Sequence, residues 1–90
     1  MTRAPDHVPR FAPGVRLQWD KHRAQWLLQA PEKIVVADAT AAEVLRRIDG
    51  RRTLEALLAD LAAAYDAPRE RLRLDVERLL DELAAEGLVR

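Results

Sequence analysis

Around Asp38 the apolar residues of this chain change their spacing, and the change decides most of what its 90 residues can fold into. Before that point they recur with period two. Val15-Arg16-Leu17-Gln18-Trp19 alternates apolar and polar, which is the pattern of a strand with one face on a core. Asp20-Lys21-His22-Arg23 is a polar break, and residues 24–30 put Trp26, Leu28 and Ala30 on one face and Gln25, Leu27 and Gln29 on the other. The two runs predict a hairpin whose connector lacks a turn glycine. After Pro31-Glu32, the run Lys33-Ile34-Val35-Val36-Ala37 is β-rich and apolar on both faces, so it is no simple one-sided surface strand.

Beyond it the period becomes 3.6. Thr40 followed by Glu43 has the spacing of a capping box, Ala41, Val44, Leu45 and Ile48 form a stripe, and Asp49-Gly50 is expected to close that helix. Thr53 is expected to cap a second helix with the stripe Leu54, Leu57, Leu58, Leu61 and Tyr65. After Asp66-Ala67-Pro68 a third helix runs to about Glu86, with Leu72, Val76, Leu79 and Leu83 in a narrow arc, widened on one side by Leu80 and Ala84, and Gly87 as its stop. The prediction is an α+β domain at 15–90, a three-stranded antiparallel sheet followed by a three-helix bundle. Residues 1–14, with Pro5, Pro9 and Pro13, are expected to be an extended arm.

The inventory of reactive groups argues against an enzyme. The chain has no Ser or Cys, and its three threonines lie at the start (Thr2) or at expected helix caps (Thr40, Thr53). His7 in the arm and His22 in the hairpin turn have no partner at ligand spacing; both are expected to be solvated, with no metal and no cofactor. Glycines at 14, 50 and 87 are isolated and form no phosphate-binding loop. No run is long enough to span a bilayer, and the start is no secretory signal, so a cytoplasmic, membrane-free protein is expected.

Three helices beside a small sheet are also how winged-helix DNA-binding regulators are built, and that is the alternative reading. Charge weighs against it. The formal net charge is zero, and the third helix sets Arg69, Arg71, Arg73 and Arg78 against Glu70, Asp75, Glu77, Asp81, Glu82 and Glu86. Nucleic acid is therefore not an expected partner. Arg46, Arg47, Arg51 and Arg52 form one basic cluster, opposed locally only by Asp49, which could dock an acidic partner or simply suit a helix C-terminus.

The most informative feature is the third strand. In a meander it has one neighbour, and unless a helix or the arm covers it, its other edge presents unpaired backbone groups without the Pro or inward charge that defends ordinary edges. An extended peptide could add there as a further strand, its alternate side chains entering a groove walled by an amphipathic helix. The same open edge and the arm allow a homodimer by strand pairing or exchange.

VRLQWD at 15–20, LLQAPE at 27–32, the segment Ala41, Val44, Leu45, Ile48, Asp49, Gly50 followed by RRTLEALLADLAAAY, and the closing LDVERLLDELAAEGLV together resemble the PqqD family of accessory proteins in pyrroloquinoline quinone biosynthesis. The resemblance runs from about Pro9 to Val89. It implies a winged-helix-like precursor-peptide recognition domain. It also implies a non-enzymatic chaperone that binds the ribosomal peptide PqqA and presents it to the radical S-adenosylmethionine enzyme PqqE. The implied peptide site is the third strand, Lys33, Ile34, Val35, Val36 and Ala37, with a helix wall drawn from Leu72, Arg73, Val76, Leu80 and Ala84. One departure is Arg23-Ala24, where a glycine is common in the hairpin turn.

Overall fold

The structure is a computed structural model that describes residues 3–90; Thr2 lies outside the described residues. Three strands, β1 (Arg16–Asp20), β2 (Gln25–Gln29) and β3 (Ile34–Ala37), precede three helices, α1 (Ala39–Leu45), α2 (Leu54–Ala64) and α3 (Arg69–Ala85). The sheet is an antiparallel meander in the order β1-β2-β3. Its register aligns Leu17, Leu28 and Val35 in one row and Trp19, Trp26 and Ala37 in the next, all on the face that meets the helices.

That face closes on a core of leucines. Leu28 comes from the sheet, Leu54, Leu57, Leu58 and Leu61 from α2, and Val76, Leu80 and Leu83 from α3. Most of it follows the expected stripes, and α2 packs chiefly on α3. Thr53 caps α2 as expected, its hydroxyl accepting from the Ala56 amide at 3.1 Å. Gly87 ends α3 at φ +74°, in the left-handed region that glycine adopts without strain.

α1 departs from the sequence reading at both ends. Asp38, not Thr40, is the cap, because its carboxylate reaches the Ala41 amide at 2.8 Å. The helix stops at Leu45, so Ile48 reaches the core from the turn that follows, where Asp49 accepts the amides of Arg51 at 2.9 Å and Arg52 at 2.7 Å. Tyr65 is likewise not core: it stands at the C-terminus of α2, 42% exposed.

The hairpin turn solves its missing glycine by strain. Ala24 takes φ +52°, while the Asp20 carboxylate folds the turn by accepting the His22 and Arg23 amides.

Residues 3–14 run along the helices with turns at 5–6 and 13–14, and several points of this stretch are bound. Pro5 and His7 carbonyls accept the Glu55 and Leu54 amides, satisfying first-turn donors of α2 that have no partner inside the helix. Arg10 and Ala12 then pair with the C-terminal segment: the Arg10 amide bonds the Arg90 carbonyl, the Ala12 amide the Leu88 carbonyl, and Phe11 lies opposite Val89. Pro9 is fully buried. At the front, Arg3 donates to Glu77 from its amide and its guanidinium, both at 2.9 Å, and to Asp81 at 2.7 Å. The arm therefore lies against α2, α3 and the C-terminus and leaves β3 alone.

Candidate functional site

The backbone of β3 has a definite polarity, and one hydrogen bond sets it. Pro31-Glu32 is a two-residue connection, and the Ala30 amide bonds the Lys33 carbonyl at 2.9 Å. Ala30 and Lys33 are thus a hydrogen-bonded pair, and antiparallel pairs alternate. In the register that joins Leu28 to Val35 and Trp26 to Ala37, the backbone of Lys33, Val35 and Ala37 points into the sheet. The N–H and C=O groups of Ile34 and Val36 point outward, toward an edge on which no strand sits among the described residues.

α3 runs antiparallel to β3 alongside this edge. Its C-terminal end is tied to the start of β3 by Lys33 and Glu86, 3.3 Å apart. Its N-terminal half faces the start of α1, just past the end of β3, across a groove of about 370 Å³ between the three helices, lined by Ala39, Thr40, Val44, Leu61, Leu72 and Val76, with Glu43, Tyr65 and Asp75 also on its walls. The lining is mostly apolar. Glu43 is engaged elsewhere: Arg47 donates to it at 2.9 Å, and this bond, with the nearby charge of Arg46, holds its carboxyl below the usual range.

At 100° per residue, the flank of α3 that carries Leu72, Asp75, Leu79 and Glu86 is the one turned to β3. The opposite flank carries Arg73, Glu77 and Ala84. Arg73 forms an ion pair with Glu77 at 3.8 Å, and Glu77 is the anchor for Arg3 of the arm. Of the expected helix wall, the structure therefore brings Leu72 and Val76 to the groove and turns Arg73 and Ala84 away from β3. Leu80, 1% exposed, is core and offers no surface in the free protein. Asp75, Thr40 and Tyr65 also line the groove, and the sequence reading does not place them there. The core stripe identifies the buried arc of α3, but only tertiary packing says which of its two flanks borders the strand. The outward parity of β3 did have a signal in the sequence, since a two-residue connection at Pro31-Glu32 fixes it.

The basic cluster is largely occupied within the fold. Arg47 bridges Glu43 and, at 2.5 Å, Asp60; Arg52 approaches Asp60 at 3.7 Å. Arg46 pairs with Glu43 at 3.6 Å and lies over the Trp26 ring, 5.5 Å from its centroid. Arg51 alone of the four has no acidic partner within 4 Å among the described residues. His7 is not solvated as expected: its Nε2 is buried without a hydrogen-bond partner among the described residues, whereas His22 is exposed. Among the described residues no three His, Cys, Asp or Glu side chains lie close enough to hold a metal ion, and no helix is long and apolar enough to cross a membrane.

An open apolar edge beside a grooved helix can bind an extended peptide by main-chain pairing, with pockets for alternate side chains. Comparison with known proteins bears on the same point. Residues 25–89 match the family model described as Coenzyme PQQ synthesis protein D (PqqD). The chain belongs to the PqqD family. A relative from Gluconobacter oxydans (strain 621H), called PqqA binding protein, is 40% identical over 94 residues, covering 99% of this chain and 98% of its own length. The protein of that name from Xanthomonas axonopodis pv. citri (strain 306) is 42% identical over 85 residues, 94% of this chain and 92% of its own.

Two solved PqqD structures share the arrangement. The first is the solution structure of the PqqD truncation of Methylobacterium extorquens PqqCD, described as a functional, stand-alone recognition element for ribosomally synthesized and post-translationally modified peptides. It superposes with a TM-score of 0.82 at 33% identity, over 97% of this chain and 93% of that one. The crystal structure of PqqD from Xanthomonas campestris gives 0.60 at 39% identity, over 99% of each chain.

Proposed function

We propose that this protein is a non-catalytic peptide chaperone of pyrroloquinoline quinone biosynthesis: it binds PqqA as a fourth strand on β3 and holds it for PqqE in the cytoplasm. Residues 15–90 form the recognition domain, and the arm braces α2 and α3 from behind. The observation that carries the reading is the outward backbone of Ile34 and Val36 beside the α3 groove, in a chain of the PqqD family. Peptide residues that fall beside Val35 and Ala37 project to the helix side of the sheet, toward Leu72 and Val76. Lys33 and Glu86 close one end of the cleft.

The register makes the test asymmetric. Val36→Pro removes an amide that the fold does not use and places a ring in the path of the added strand. The expected loss is about 1–3 kcal/mol of binding, roughly five- to two-hundredfold. Val35→Pro removes an amide bonded to β2 and is expected to lower thermal stability instead. Calorimetric titration of PqqA into the parent and the Val36→Pro variant, with circular dichroism to confirm folding, decides the matter. A folded Val36→Pro protein that binds as tightly as the parent refutes strand addition here.

A further inference from the structure

The outer face of the sheet, which no helix covers, changes character from one edge to the other. β1 presents Arg16, Gln18 and Asp20 there, β2 presents Gln25, Leu27 and Gln29, and β3 presents Ile34 and Val36. Polarity falls strand by strand toward the open edge. Ile34 is 60% and Val36 58% exposed, among the most exposed large apolar side chains in the described structure. Solvated positions on an edge strand ordinarily carry polar or charged residues. These two are also the residues whose amides and carbonyls face outward, so whatever pairs with the edge lies directly beside their side chains.

We propose that the bound segment of the peptide is gripped on both faces, so that it must be apolar at consecutive positions rather than at alternate ones. The proposal rests on the strand-addition reading above and goes further by naming the sequence class that the cleft selects. Peptide residues opposite Ile34 and Val36 lie on the outer face and cover them together with Leu27, which pairs with Val36. Residues between them turn to the inner face, where the apolar groove lined by Leu72 and Val76 lies just past the end of β3. A segment that alternates apolar and polar would satisfy the groove and leave Ile34 and Val36 against polar groups. A second copy of this chain is the poorer occupant: β3 is four residues long, and pairing two such edges falls well short of the about 1,000 Å² that a stable interface requires.

The double variant Ile34→Thr/Val36→Thr tests this, because threonine keeps the β-branched shape and the strand propensity while removing apolar surface. The probe is fluorescein-labelled full-length PqqA, titrated by polarisation against the parent and the double variant. The affinity is expected to fall about tenfold with the fold intact. In the peptide, alanine substitution is expected to weaken binding at two or more adjacent positions. If the parent binds and the double variant binds equally well, or if only alternate peptide positions matter, two-faced recognition is overturned while strand addition stands. If the parent does not bind PqqA, the proposed function itself falls. Sedimentation of the free protein is expected to show a monomer; a dimer that the double variant dissociates assigns the patch to a second copy and overturns the proposal.

Discussion

Replacing Ala24 by glycine is expected to stabilise the protein, although it removes a side chain. Ala24 holds φ +52° at the end of the hairpin turn, a conformation in which the Cβ of an L-residue crowds the following carbonyl at a cost of about 1–2 kcal/mol. Its methyl group is exposed, so little packing is lost. Glycine relieves the crowding, but its unfolded chain is freer, which takes back about 0.4–1 kcal/mol. The difference is a net gain of about 0.5–1 kcal/mol. For a domain of this size that raises the melting temperature by about 2–8 °C. Thermal unfolding followed by circular dichroism measures it, and Gly50→Ala supplies the mirror experiment: Gly50 has φ +77° and nothing within 4 Å of where a Cβ would sit, so alanine there meets only the backbone penalty and should lower the melting temperature. If Ala24→Gly melts below the parent, the turn is not strained at this residue and the account of the missing glycine is wrong.

Two further expectations concern charge. The Asp49 carboxyl is held below its usual range by the amides of Arg52 and then Arg51, and Glu43 by Arg47, so both groups favour the fold when ionised. Their contribution is complete above the ordinary carboxylate pKa of about 4 and is lost as the pH falls through the lowered folded values. Melting curves across that range should show stability declining on acidification, and Asp49→Asn should flatten the decline. Arg3→Ala removes the guanidinium bonds to the partly buried Glu77 and to Asp81, leaving only the backbone amide on Glu77, at an expected cost of about 1–3 kcal/mol in denaturant unfolding; an unchanged midpoint would show that the Arg3 side chain does not clamp the arm to α3.

The order of elements was readable because each carries its own period. Leu17, Leu28 and Val35 declare strands, and Leu54, Leu57, Leu58 and Leu61 declare a helix face that the structure buries whole. The ends of α1 were not readable. Asp38 and Thr40 are both good caps two residues apart, and the choice falls to the residue whose carboxylate meets the Ala41 amide. Ile48 keeps helical spacing with Val44 and Leu45, yet it is buried from a turn, because period reports which side chains go inward and not the backbone that carries them there. For the site, β3 was legible from its unbroken apolar run, whereas the helix wall was half legible. Leu72 and Val76 belong to the core stripe and line the groove. Arg73 and Ala84 lie on the flank that the arm holds, and nothing local to α3 tells one flank from the other. Arg47 and Asp60, 13 residues apart in the chain, show the same limit: a pair that meets only after α1 packs beside α2 leaves no mark in either segment alone.

The central claim is that the outward amides of β3 receive the peptide backbone, and amide hydrogen exchange read residue by residue tests it most directly. In the free protein Val35 and Ala37, bonded to β2, should be protected, while Ile34 and Val36 exchange quickly. With PqqA at about 100 times its dissociation constant, protection at Ile34 and Val36 should rise by up to about a hundredfold. Saturating peptide that leaves those two amides exchanging as fast as before, while protecting others elsewhere, would contradict the account.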